Sequence, residues 1–311
     1  MDKIAPIKPK CLNKGDVIGI VAPSSSFDRD NFKEGVSMLQ SLGYTIKYEQ
    51  AIFNASWSRP GHNKQKASQV NRMFSNTKVK AIFCAKAGLD SSDIIPYLDK
   101  KIIRENPKIF IGYSDITSIL LYLQKIANMV VFHGPIVSGE IYDGMHSLTI
   151  EYLDALCGQS KPLGELKFPQ LIAFRQGRAS GRLVGGNLSL IVKAMNSPYR
   201  LTTRGHVLFL EDINESFDTI KQYFFRLRRA GVFKKIVGLI FGKITDTTGR
   251  EHDMSVIVNE ILKGYDMPIL YGFPSGHLQI RGGLHVTLPF GVMVTIDSES
   301  LSLSMDEAAV A

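Results

Sequence analysis

Lys108-Ile109-Phe110-Ile111-Gly112-Tyr113-Ser114-Asp115-Ile116 is the stretch on which the fold turns. An apolar run of this length, without polar alternation, suits a strand covered on both faces, and it passes directly into a helical pattern from Asp115 to Ile126. Strand followed at once by helix is the unit of a parallel α/β sheet. Working outward, the same alternation predicts strands at Val17 to Ala22, Tyr44 to Tyr48, Val79 to Cys84 and Met129 to Phe132. Helices are predicted at about Asp30 to Leu42, Lys64 to Ser75 and Ser91 to Leu98, several opened by Asp or Ser as a cap. Residues 1–156 therefore read as one α/β domain.

Past Pro135 the pattern loosens. Residues 157–180 are rich in Gly, Pro, Lys and Gln and are read as a connection between domains. Residues 181–311 read as a second domain, with strands at His206 to Leu210, Val237 to Ile244 and Ile269 to Phe273. Its predicted helices are Leu188 to Met195, Phe217 to Ala230 and Met254 to Lys263. His285 to Pro289 and Val292 to Ile296, separated by Phe290 and Gly291, read as a β-hairpin.

Composition agrees with two ordinary folded domains. Hydrophobic residues make up 44% of the 311 and charged residues 21%, which argues against disorder and against a membrane protein. Met1 to Lys10 carries Pro6 and Pro9 and holds no apolar run of the signal-peptide kind. Three cysteines, odd in number and far apart, suit a reducing compartment better than a disulfide framework, so a cytoplasmic address is expected. The net charge of +8 favours anionic partners. The cluster Arg226, Arg228, Arg229, Lys234 and Lys235 is read as the solvated face of a helix rather than a nucleic-acid site, since no aromatic or recognition pattern accompanies it.

Ser114 sits where strand becomes helix. A hydroxyl there is exposed at the carboxyl end of the sheet, beside the first free N–H groups of the helix, where a developing oxyanion gains most. The other reading of Ser114 and Asp115 is a plain helix cap, and the second glycine of the usual G-x-S-x-G elbow is missing. A nucleophilic serine needs a histidine base and a carboxylate to orient it. His277, in a Gly-Pro loop after a strand, is the first candidate base and His133 the second. His62, His146 and His252 lie in polar surroundings and read as surface residues, and His285 as structural. Glu211 and Asp212 end a strongly apolar strand, with Glu215 close behind, and a carboxylate in such a place calls for a partner. Either a histidine or a structural arginine would serve.

Two glycine loops and a serine loop complete the candidates. Gly88, in Ala85-Lys86-Ala87-Gly88, offers a second oxyanion N–H or only a turn. Gly185-Gly186-Asn187-Leu188 reads as a helix start resembling an anion nest. Ser24, Ser25 and Ser26 either line the same cleft or form a polar loop. Cys84 reads as a core thiol. No zinc motif, paired-cysteine spacing or Walker sequence is present, so neither a zinc site nor a nucleotide-hydrolysing site is expected.

Several segments in order resemble the LD-carboxypeptidase family, the muramoyl-tetrapeptide carboxypeptidases and their microcin-immunity relatives. They are Lys14 to Ser25, Ile111 to Thr117, Phe132-His133-Gly134-Pro135, Gly185 to Leu188, Leu208 to Asp212 and Gly276-His277. The resemblance implies a class I amidotransferase-like N-terminal α/β domain with a parallel sheet, and a swivelling β/β/α C-terminal domain. It implies a triad of Ser114, Glu211 and His277 shared between the two, with the backbone N–H groups of Asp115 and Gly88 as oxyanion donors. It also implies a muropeptide or related peptide substrate, no metal, no cofactor, no nucleic-acid or membrane partner, and a homodimer. Two departures stand out. Lys86-Ala87-Gly88 replaces an Arg-Gly-Gly-type turn, and Met195-Asn196-Ser197-Pro198-Tyr199 replaces a Gly-Thr-Pro-Tyr-like stretch. The first of these keeps open a ligand binder that lacks catalysis, and Lys86 and Arg59 are the loop cations to consider for a substrate carboxylate.

Overall fold

Two sheets, each flanked by helices, make up the computed structural model, which describes residues 5–54, 61–277 and 282–311. The first sheet holds β1 (Val17–Val21), β2 (Thr45–Lys47), β3 (Val79–Cys84), β4 (Ile109–Gly112) and β5 (Val131–His133), all parallel. β4 is buried along its whole length between β3 and β5, which is why its sequence is apolar without alternation. Helices α1 (Arg29–Ser41), α2 (Asn63–Ser75), α3 (Lys100–Glu105), α4 (Thr117–Ala127) and α5 (Ser147–Gly158) accompany it. Asp28 caps α1 by accepting from the N–H groups of Asp30 and Asn31, and Asn128 ends α4 in the left-handed conformation. Ser91–Tyr97, expected as a helix, is 3-10, with Pro96 inside it.

The second sheet has eight strands. They are β6 (Gly164–Lys167), β7 (Ile172–Arg175), β8 (Arg178–Asn187), β9 (His206–Asp212), β10 (Gly238–Ile244) and β11 (Ile269–Tyr271), then β13 (Met293–Asp297) and β14 (Ser302–Met305). β8 to β11 are parallel, with antiparallel strands on both flanks. Helices α6 (Leu188–Lys193), α7 (Phe217–Arg229) and α8 (Met254–Glu260) connect them.

Two expectations fail here. Residues 157–180, read as a connection, contain β6 and β7, two edge strands of the second sheet. The expected hairpin at 285–296 does not form. β12 (Leu288–Phe290) pairs with β5 in the first sheet, while β13 pairs with β8 and β14 in the second. The chain crosses between sheets at Gly291, whose N–H donates to Leu183 O while Leu183 N–H donates to Val292 O.

That crossing joins the two cores. Phe209 of β9 is fully buried against His133 and Phe290 of the first sheet and Phe273 of the loop after β11. Each buried aromatic is worth ~1.5–3 kcal/mol, against ~0–1 kcal/mol for an exposed ion pair, so apolar packing governs this junction. A second contact fixes the angle of β8 to α4. Gly185 and Gly186 sit at φ +148° and +127°. A Cβ on the first would lie 2.0 Å from Phe209 O, and on the second 2.8 Å from the Thr117 side chain. The two glycines are thus a close-packing device at the end of a strand and not an anion nest, while Asn187 is the true cap of α6.

Candidate active site

Ser114 leaves β4 into a single 3-10 turn, Ser114–Ile116, that continues as α4. Its φ is +59°, a region that costs an L residue about 1–2 kcal/mol. Neither the turn nor α4 has a side-chain cap hydrogen bond, so the cap reading does not describe this serine. Such strain concentrates at sites where a side chain must be aimed. Within the turn the Ile116 N–H donates to Tyr113 O and the Thr117 N–H to Ser114 O.

Asp115, next in sequence, is buried and fully engaged. Its Oδ2 accepts from Ser24 Oγ at 2.6 Å and from Ser91 N–H at 2.9 Å, and Ser91 Oγ donates to its carbonyl. Ser25 Oγ accepts from Leu89 N–H at 3.0 Å, Ser24 Oγ reaches Leu89 O, and Lys66 Nζ donates to Ser24 O. The serines after β1 are therefore struts. They hold the Gly88 loop against the Ser114 turn, and Gly88 and Asp115 come to share one wall of a cleft. Cys84 beneath them is a core thiol whose burial pushes its pKa well up.

Glu211 is the last residue but one of β9, with β8 and β10 on either side, and is fully buried. A buried carboxylate is costly unless compensated. Here His277 compensates it: Nδ1–H donates to Oε2 at 2.6 Å and the His277 backbone N–H approaches the same oxygen at 3.3 Å. Nδ1 being committed, Nε2 is left as the basic nitrogen. Burial pushes the Glu211 carboxyl up, but His277 and its hydrogen bonds outweigh this and hold it down at about 2. Burial alone would lower the His277 pKa, and the Glu211 charge and hydrogen bond reverse that, leaving it above its ordinary 6.5.

The other acids have separate duties. Asp212 accepts from Asn187 Nδ2, Ser189 N–H and Ile213 N–H, which ties α6 to the sheet. Glu215 accepts from Tyr223. Of the histidines, His133 is fully buried, and burial drives its imidazole down to about 3, so it stays neutral. His146 caps α5 and His252 bonds Glu215 O. His285 is buried in a loop, not a strand, and accepts from Gly276 N–H at 3.3 Å.

Tyr113 ties the serine turn to the His277 loop. Its ring lies edge-on to His277 at 5.0 Å and to His285 at 5.1 Å, and its hydroxyl donates to Glu140 Oε1 at 2.5 Å. The sequence reading passed over Tyr113 and Glu140. Tyr113 stood inside the decisive stretch, whereas nothing local distinguishes Glu140. Lys86 is occupied with Ser138 O at 3.3 Å, and Arg59 lies outside the described residues. No cluster of three or more His, Cys, Asp or Glu with metal-site geometry occurs among the described residues, and none of their helices is long and apolar enough to cross a membrane.

Gly276, at φ +92°, lets the His277 loop pass over the acid, and a Cβ there would meet Glu211 Cγ at 2.6 Å. Gly276→Ala is therefore expected to displace the imidazole and cut kcat about 100-fold while circular dichroism stays native, as misplacement near 1 Å does. Unchanged steady-state rates would show that the loop tolerates the added carbon.

The chain is similar to known proteins over most of its length. The LD-carboxypeptidase N-terminal domain profile matches residues 18–134 and the LD-carboxypeptidase C-terminal domain profile residues 180–296. A probable murein peptide carboxypeptidase of Bacillus subtilis (strain 168) is 32% identical over 275 residues, 87% of this chain and 86% of its own. The microcin C7 self-immunity protein MccF of Escherichia coli is 27% identical over 335 residues, 97% of this chain and 96% of its own. The structure of MccF in complex with glutamyl sulfamoyl guanosine superposes with a TM-score of 0.90 at 25% identity, covering 98% of this chain and 100% of that one.

Proposed function

The chain belongs to the LD-carboxypeptidase family of peptidases, and from that premise we propose that it is a serine carboxypeptidase removing the terminal D-alanine of murein tetrapeptides. The observation that carries the reading is the Glu211–His277 pair, held through Tyr113 against the turn that bears Ser114. Ser114 Oγ attacks the carbonyl carbon of the bond between the L-configured centre and the D-alanine, and His277 Nε2 takes its proton. Backbone N–H groups of Asp115 and Gly88 receive the oxyanion. His277 then protonates the leaving amine, D-alanine departs, and water attacks the acyl-enzyme with the same histidine as base. Glu211 stabilises the imidazolium at both stages. No cofactor enters this scheme. A cytoplasmic place in peptidoglycan recycling and a homodimer belong to the same reading.

The likeness to MccF motivates a second reading, cleavage of a peptidyl or aminoacyl nucleotide. Side-by-side rates on a murein tetrapeptide and an aminoacyl sulfamoyl adenylate separate the two. The first reading expects free D-alanine and tripeptide, with the nucleotide analogue cut more slowly. Cleavage confined to the nucleotide analogue would replace it with the second.

A further inference from the structure

A carboxypeptidase must recognise a free terminal carboxylate, and among the described residues the cations positioned for this are on the second domain. A cleft of about 470 Å³ opens between the domains, walled on one side by Gly88 and Asp115 and on the other by Ser189 and Lys193 of α6 and Tyr223 and Arg226 of α7. Tyr223 and Arg226 lie one helical turn apart on α7, and both line the cleft. Neither Lys193 nor Arg226 forms an ion pair with a described carboxylate. The acids opposite are Asp90 and Asp115. Asp115 is occupied by Ser24 and Ser91, and both acids act electrostatically on the buried Lys66. Two cations without an ion pair among the described residues thus face a wall on which Asp115 already accepts from Ser24 and Ser91.

We infer that Lys193 and Arg226 form the subsite that holds the substrate's terminal carboxylate, and so set exopeptidase specificity. This rests on the reading of the chain as a peptidase acting through Ser114. It adds a role to Arg226, which is exposed, as expected for the solvated face of its helix. The assignment is chemically economical, because the same cleft wall carries Gly88 and Asp115, whose N–H groups would receive the oxyanion one residue away from that carboxylate.

The test crosses a change of protein charge with a change of substrate charge. Wild type and the K193Q/R226Q double variant are assayed on a murein tetrapeptide and on the same peptide with its terminal carboxyl amidated. A charge-assisted contact is worth about tenfold or more in affinity, so the double variant is expected to raise KM for the acid about thirtyfold with kcat nearly unchanged. KM for the amide should hold steady, and K193R/R226K should recover most of the acid's KM. Equal loss on acid and amide overturns the inference while leaving the peptidase reading intact. Should wild type hydrolyse neither peptide, the peptidase reading fails, and calorimetric binding of the acid, the amide and AMP decides the subsite. Weakened binding of the acid alone supports it. Weakened binding of AMP alone assigns the cleft to a phosphate and overturns the carboxylate assignment.

Discussion

Ser114→Ala is expected to lower kcat on a murein tetrapeptide by about 10⁴- to 10⁶-fold with KM little changed, since a triad loses nearly all its covalent catalysis with its nucleophile. The physical ground is the strained φ of +59° at the mouth of α4, which nothing in local capping accounts for. Relief of that strain need not accompany the change, because alanine meets the same left-handed penalty as serine. The variant should therefore fold like wild type, bind the peptide, and accumulate no acyl-enzyme in a mass-spectrometric quench. Near-normal turnover would remove the nucleophile from the account.

Glu211→Gln carries the second large effect, a loss of about 10⁴-fold in kcat, the scale seen when the orienting acid of a triad becomes an amide. Two causes combine. The amide cannot counter an imidazolium, and its donor end turns the ring toward the wrong tautomer. The pH profile separates these from simple unfolding. His277 must be neutral to take a proton, and Glu211 holds its pKa above the ordinary 6.5, so wild-type kcat/KM should rise with pH along a limb above that value and fall as acid protonates the ring. Without the carboxylate, burial dominates, and the limb of the residual activity should move to lower pH. A limb that stays in place would show that Glu211 does not set the charge of His277.

Much of the fold was legible because burial writes itself into sequence. β4 reads as a strand from Ile109 to Gly112 since no face of it meets water, and Glu211 was suspect because an acid at the end of Val207 to Leu210 has to find a partner. The segments that escaped lack that signature. β6 turns only Leu166 inward and β7 has no fully buried residue, so neither carries a run or an alternation to detect. The failed hairpin has the opposite cause. His285 to Val292 is buried throughout, because it passes between two sheets, and two short apolar runs around Phe290-Gly291 look the same whether they pair with each other or with strands far away in the chain. At the site, local sequence left Ser114 between cap and nucleophile and left three acids in contention. The hydrogen bonds of Asp212 and Glu215 leave Glu211 as the acid that pairs with His277, 66 positions further along the chain.

In the proposed mechanism Ser114 is a nucleophile activated by His277 and by Glu211 of the second sheet. Intact-mass and peptide-mapping analysis after treatment with a fluorophosphonate probes it most directly. One adduct on Ser114 is predicted for wild type, formed far more slowly in Glu211→Gln and absent in Ser114→Ala. An enzyme that cleaves its peptide yet takes no adduct at Ser114 would contradict it.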